Sequence, residues 1–280
     1  MQLSGVILFA AALRTTKVRC SEWLAFGYFA YLVVAAWIRT LPRERRIEVT
    51  AGGFVMCAVI WSGARLGGAT ARDWAPLMYL LAGYYLPERL FVRPMLRVER
   101  WLMAWDRTFL GDATRRFADW PGVLVGYLDV VYLFCFALIP AGFATLVLTG
   151  HTSLADRYWT TVLGAEFSAF AMLPIIQTRP PWALEPEADV PDRGIRRLSA
   201  AIVRRATIGA NTFPSGHTAG SLTIALVLLP VAPRAGLAFL LAAASVAVGC
   251  VAGRYHYIVD VVVGVAVAAV LWVGVSLFPC

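Results

Sequence analysis

The chain is built from long apolar runs separated by short arginine-bearing segments. The apolar residues do not alternate as in half-buried strands. Nor do they recur at helical period with a broad polar face, as in a soluble bundle. A spanning helix needs about 20 apolar residues, and a helix satisfies its own backbone groups in lipid. Eight segments meet that description: 22–38, 51–67, 74–92, 121–149, 158–178, 217–233, 235–252 and 257–278. The predicted fold is therefore all-α, a polytopic membrane bundle of about eight helices. Segment 121–149 is long enough to tilt. Segments 217–233 and 235–252 meet at Pro233-Arg234 and predict a tight helical hairpin.

Two further stretches read as amphipathic helices at the headgroup level. In 93–118, Val98, Leu102, Trp105 and Phe109 recur at helical spacing among Arg97, Arg100 and Arg107. In 192–206, Ile195, Leu198 and Ile202 form one face beside five arginines. The predicted organisation is N-terminal membrane helices plus an interfacial helix over 1–120, and a catalytic core over 121–280.

Composition agrees with the pattern. Of the 280 residues 60% are hydrophobic and 15% charged, where soluble domains carry about 25% charged residues. The net charge is +8, and Lys17 is the one lysine among 25 basic residues. Most arginines flank apolar runs, which points to lipid headgroups and topology, not to nucleic acid. The five cysteines (Cys20, Cys57, Cys135, Cys250 and Cys280) form no CxxC or Cys/His cluster, so neither a disulfide framework nor a metal site is expected. Residues 3–13 are apolar, but the basic residues Arg14, Lys17 and Arg19 follow them, the wrong polarity for a secretory leader.

The candidate chemistry is concentrated in two of the three histidines. His217, in Pro214-Ser215-Gly216-His217, opens the sixth segment. His256, four residues before Asp260, opens the eighth. The hairpin between them returns the chain to the same side, so the two imidazoles can face each other across 39 residues. A carboxylate one helical turn away fixes a histidine tautomer and leaves the other ring nitrogen as a lone-pair nucleophile. An aspartate inside an apolar span costs about 2.5–3.5 kcal/mol unless partnered, which argues for the His256–Asp260 pair. His217 has no adjacent carboxylate and suits a general acid. Ser215 and Gly216 read as a helix start whose N–H groups receive an anion. Arg179, closing the fifth segment, and Arg254, two before His256, can fork phosphate oxygens.

These residues resemble the type 2 phosphatidic acid phosphatases, whose motifs are Lys-x6-Arg-Pro, Pro-Ser-Gly-His and Ser-Arg-x5-His-x3-Asp. Arg179-Pro180 looks like the end of the first, Pro214–His217 matches the second, and His256 with Asp260 match the end of the third. The first-motif lysine would fall at Met172 and the third-motif arginine at Cys250. The resemblance implies a six-helix-type core and a phosphohistidine on His256, with His217 as acid. It implies phosphate contacts from Arg179, Ser215, Gly216 and Arg254, and no cofactor or metal. The implied activity is hydrolysis of lipid phosphate monoesters or pyrophosphates. His-Tyr-x-x-Asp-Val and Trp105–Gly111 are also similar to the inositol phosphorylceramide and sphingomyelin synthase branch. That branch would move a phospho-headgroup to a lipid alcohol. A non-enzymatic lipid carrier with a degenerate site is the third reading. The expected partners are a lipid phosphate and the bilayer, in a bacterial-type inner or plasma membrane. The resemblance places the site on the extracytoplasmic face, whereas the arginine asymmetry points to the cytoplasm; we expect the former.

Overall fold

The computed structural model describes residues 17–184 and 208–278, and all regular structure among them is helical. The basic stretch 192–206 lies outside the described residues. The helices are α1 (Cys20–Ile38), α2 (Arg43–Leu66), α3 (Ala69–Trp74), α4 (Pro76–Tyr85), α5 (Leu96–Leu110) and α6 (Ala113–Ala118). They continue with α7 (Gly122–Leu133), α8 (Cys135–Leu148), α9 (Ala155–Ala171), α10 (Gly216–Leu228), α11 (Pro233–Ala252) and α12 (Ile258–Leu277).

Four of them, α1, α2, α11 and α12, are long and apolar enough to cross a membrane. A fifth span results if the bent pair α7–α8 counts as one. The expected eight full-length segments therefore appear as four to five, and prolines account for most of the difference. Pro76 starts α4, and Pro87 sits in the 3-10 turn Leu86–Leu90 that ends it. Pro174 follows the end of α9 and stops the segment expected to reach residue 178. Pro230 lacks the N–H needed to continue α10, which ends at Leu228, and Pro233 opens α11 at a position where proline is tolerated. The tilted span expected over 121–149 is instead bent by 64° between Leu133 and Cys135. Pro140 lies inside α8 and gives no N–H to the Phe136 carbonyl, which weakens the ladder near the break.

The main helices run between two ends of one bundle. At one end Asp156, opening α9, accepts from the Cys20 and Ser21 N–H groups at 3.0 Å each. Arg19 pairs with Asp73 at 2.7 Å, and Arg157 donates to Ser276 Oγ at 2.6 Å near the close of α12. Cys20 at this end is disulfide-bonded, contrary to the expectation from cysteine spacing; Cys57, Cys135 and Cys250 are free. At the other end Arg39, closing α1, donates to the Pro174 carbonyl after α9. Gln177 Oε1 takes the N–H groups of Val92 and Arg93 at 3.0 and 3.2 Å.

One hydrophobic cluster joins α1, α2, α4, α8, α9 and α10. Tyr28 of α1 stacks on Phe167 of α9 with ring centroids 4.0 Å apart. Residues that point outward are also apolar. Trp37, Ile38, Leu66, Leu241, Val262 and Val270 are all exposed, as suits a lipid-facing surface. Exposed tryptophans with arginine partners stand toward both ends. Arg65 lies 4.5 Å over the Trp61 ring, and Arg46 lies 5.3 Å over that of Trp37. Such aromatic residues favour the two bilayer interfaces.

Helix α5 forms where its periodicity predicts, but its faces differ from the expected ones. Leu102 turns into the bundle with Glu99 and Asp106, all buried, while Trp105 and Phe109 are exposed beside Trp101. These three rings run one turn apart along the outside, with Trp105 stacked on Phe109 at 5.4 Å. The inward positions are taken by carboxylates because each has a donor to satisfy there.

Candidate active site

The site is assembled at the end of the bundle where α9 stops and α10 and α12 begin. Ser215 caps α10, and its Oγ accepts the Thr218 N–H at 3.3 Å. Gly216 opens the helix in close contact with α9. A Cβ there would lie 2.8 Å from Glu166 Oε2. Across the hairpin, α12 packs against the same turn. A Cβ on Gly264 would lie 2.8 Å from the Ser215 carbonyl oxygen. Ser215 N–H donates to the Asp260 carbonyl at 2.9 Å. The starts of α10 and α12 are therefore locked together, and that lock carries both histidines.

The rings of His217 and His256 lie 5.6 Å apart, centroid to centroid, at 79°. His217 sits between Tyr132 and Phe136, with centroids at 5.3 and 4.9 Å, and Tyr132 stacks on Tyr255 at 3.9 Å. His256 Nδ1 is 3.3 Å from Asp260 Oδ2. The same oxygen accepts the Tyr257 N–H and Asn211 Nδ2–H, each at 3.0 Å. Asp260 is fully buried. With its carboxylate as acceptor, the proton of His256 belongs on Nδ1, which leaves Nε2 with a lone pair. The turn before His256 hangs on one carbonyl: Cys250 O accepts the Tyr255 and His256 N–H groups at 2.9 and 3.0 Å. The Cys250 side chain is buried with Tyr132, Cys135 and Val246.

Arg179 comes from the chain leaving α9. Thr178 and Asn211 form an isolated antiparallel bridge, with Asn211 N–H on the Thr178 carbonyl at 2.8 Å. The Arg179 N–H and Nε–H both donate to Glu99 Oε1 at 2.8 and 3.0 Å, and Nη2–H donates to Oε2 at 2.9 Å. Tyr257 Oη–H donates to the Arg179 carbonyl at 3.0 Å. Burial alone would raise the Glu99 carboxyl. Hydrogen bonds from Arg179, and its charge, outweigh that and hold Glu99 below the ordinary carboxylate value. Asp106, two turns along α5, accepts the Ile258 N–H at 2.8 Å and so caps α12.

A cavity of about 40 Å3 lies among these elements, lined by Gly216, His217, His256, Asn211, Tyr84 and Phe170 among others. At roughly 10–15 Å3 per water-sized group, it takes about three such groups. That space is of the size of a phosphoryl group's oxygens. Of the residues predicted from sequence, Gly216, His217 and His256 line it. Ser215 and Asp260 are buried behind it. Arg179 and Arg254 do not line it, although their chain neighbours Pro180 and Tyr255 do. Arg254 is half-buried and adopts φ 62°, a left-handed conformation unusual for a non-glycine residue. Its carbonyl accepts the Trp182 N–H at 3.1 Å. Among the described residues, no group of three or more His, Cys, Asp or Glu is placed to hold a metal ion.

Residues 100–274, more than half of the chain, match the family model described as the PAP2 superfamily. The chain belongs to the PAP2 superfamily. No curated protein and no solved structure matches it. The matched region begins within α5 and ends within α12, so Asp106, His217, His256 and Asp260 all fall inside this PAP2 segment. Glu99 stands one residue before it. Phosphatase or phosphotransferase chemistry is general in the superfamily, and the apolar helices are compatible with an integral membrane protein.

Three site residues escaped the sequence reading. Asn211 lies six residues before His217 with no motif to mark it. Glu99 and Asp106 lie on an arginine-rich helix, where a carboxylate ordinarily reads as a solvated ion-pair partner. The inward stripe Glu99, Leu102 and Asp106 has helical spacing, but nothing local distinguishes it from the outward stripe.

Proposed function

We propose that this PAP2 protein is a membrane phosphohydrolase that cleaves lipid phosphate monoesters or pyrophosphates through a phosphohistidine on His256. The observation that carries this reading is the facing pair His217 and His256 at 5.6 Å, with Asp260 on the far nitrogen of His256. His256 Nε2 attacks phosphorus and forms the P–N bond. The P–O bond to the lipid breaks as His217 delivers a proton to the leaving oxygen. A water molecule then attacks phosphorus, gives its proton to His217 and breaks the P–N bond, releasing phosphate and restoring both rings. Asp260 stabilises the cation formed on His256. The Gly216 N–H opening α10, with Arg179 and Arg254, takes the developing charge, while Ser215, whose N–H is already given to the Asp260 carbonyl, holds that turn in place. No cofactor or metal enters the cycle.

In this reading all eight passes lie in the bilayer. The short helices α9 and α10 are inner elements, about 25 and 20 Å long at 1.5 Å per residue. The N-terminal helices frame a catalytic core over 121–280. The site opens on the extracytoplasmic face of an inner or plasma membrane. A cysteine placed within 185–192 that reacts with an impermeant reagent in intact cells supports that orientation; one that reacts only after permeabilisation opposes it.

The test of function is phosphate release by purified protein from lipid phosphates. Wild type is expected to release phosphate, His256→Ala to be inactive and His217→Ala to be slower by about 10²–10⁴-fold. Equal behaviour of wild type and both variants would favour a lipid carrier. A second reading moves a phospho-headgroup to a lipid alcohol, and the aromatic and apolar cavity wall formed by Tyr84, Tyr132, Phe170 and Ile208 favours it. A labelled phospholipid supplied with diacylglycerol or ceramide separates the two, because only the transferase makes a new labelled phospholipid.

A further inference from the structure

We infer that Glu99 is a positioning residue that fixes Arg179 by one guanidinium edge and leaves the other edges free for a phosphate group. This inference rests on the proposed phosphate-binding role of Arg179. Glu99 is 2% exposed, and its carboxylate accepts three hydrogen bonds from Arg179, one from the backbone and two from the Nε–Nη2 edge. A guanidinium carries five N–H groups in a rigid fork. Glu99 occupies two of them, both on one edge. The second Nη2–H and both Nη1–H groups remain on the other edges. The Arg179 side chain stays 37% exposed while Glu99 is sealed beneath it. Glu99 therefore holds the back of the fork and leaves its front for an anion.

The clamp is rigid on both sides. The approach to α5 is tied to the chain carrying Arg179, because Gln177 O accepts the Met95 N–H at 2.7 Å and Gln177 Nε2–H donates to the Leu90 carbonyl at 2.7 Å. Tyr257, next to His256, holds the Arg179 carbonyl at 3.0 Å. The same helix caps α12 through Asp106 at 2.8 Å. One helix thus sets the position of Arg179 and of the turn that carries His256. A free arginine side chain has many rotamers and loses that freedom when it is fixed. Ordering it before substrate arrives lowers the cost of binding the phosphate.

The test uses the full-length protein in detergent, with inorganic phosphate as probe and thermal shift as readout of affinity. Wild type is expected to be stabilised by phosphate, Glu99→Gln to need about ten-fold more phosphate, and Glu99→Asp to recover part of the loss. In an Arg179→Ala background, Glu99→Gln is expected to add nothing further, which a merely structural effect of Glu99 would not produce. Equal phosphate affinity in wild type and Glu99→Gln overturns the positioning role, as does a loss of equal size in the Arg179→Ala background. A wild-type protein with no phosphate shift overturns both this role and the phosphate site beneath it.

Discussion

Asn211 Nδ2–H donates to Asp260 Oδ2 at 3.0 Å across 49 residues of chain, and the same nitrogen donates to Thr178 Oγ1 at 3.1 Å. One amide thereby joins the strand-like segment leading to Arg179 with the carboxylate behind His256. Asn211 also lines the cavity and is 2% exposed.

Removing that amide should loosen Asp260 and with it the orientation of His256. A hydrogen bond to a charged group is worth about 1.5–3 kcal/mol, so Asn211→Ala should lower kcat by roughly ten- to a hundred-fold. Asn211→Asp should do worse, because it sets a second carboxylate against Asp260. Steady-state kinetics of the two variants checks this; an Asn211→Asp enzyme as active as wild type contradicts it.

His217 is predicted to matter in proportion to the basicity of the leaving group. A positioned general acid contributes about 10²–10⁴-fold. In the first step, read as leaving-group release within a single turnover, His217→Ala should lose that factor with a lipid phosphate and lose much less with an aryl phosphate, whose leaving oxygen needs no proton. Comparing the two substrates in wild type and variant measures it. An equal loss on both would remove His217 from the acid role.

The close approach of α9, α10 and α12 should make two glycines intolerant. A Cβ at Gly216 meets Glu166, and one at Gly264 meets the Ser215 carbonyl. Overpacking of this kind costs about 1–3 kcal/mol. Gly264→Ala presses on backbone and should lower the unfolding temperature more than Gly126→Ala, where a Cβ would have nothing within 4 Å. Thermal unfolding of both variants in detergent decides it.

The Glu99–Arg179 pair predicts an acid limb in stability. The Glu99 carboxyl is held below its ordinary value of 4.5, so the unfolded chain binds the proton more readily than the folded one. Its contribution is complete above pH 4.5 and is lost as pH falls through the lower folded value. Wild type should therefore lose more stability on acidification than Glu99→Gln, which has no proton to gain. Parallel unfolding curves against pH for the two proteins would contradict this.

The parts of the site that could be read from sequence are those with local chemistry. Ser215, Gly216 and His217 form one helix start, and His256 and Asp260 lie one turn apart on another. Glu99, Asp106 and Asn211 work across 80, 152 and 49 residues, and no spacing rule reaches that far. The helical class followed from the apolar runs. The number of full-length spans did not, because Pro87, Pro174 and Pro230 shorten helices whose hydrophobic runs continue past them. The same limit applies to α5, where the period located the helix. Which stripe faces inward was decided by donors on Arg179 and Ile258, far away in sequence.

The central claim is that phosphorus bonds to His256. The direct measurement is to incubate purified protein with a radiolabelled lipid phosphate, quench within the turnover time, and locate label on the polypeptide by peptide mass spectrometry. The account predicts an acid-labile, base-stable phosphoryl group on His256 that is absent from His256→Ala. It also predicts that water chases the label off as free phosphate. Product formed with no label at His256, or with label on another residue that persists in His256→Ala, would contradict it.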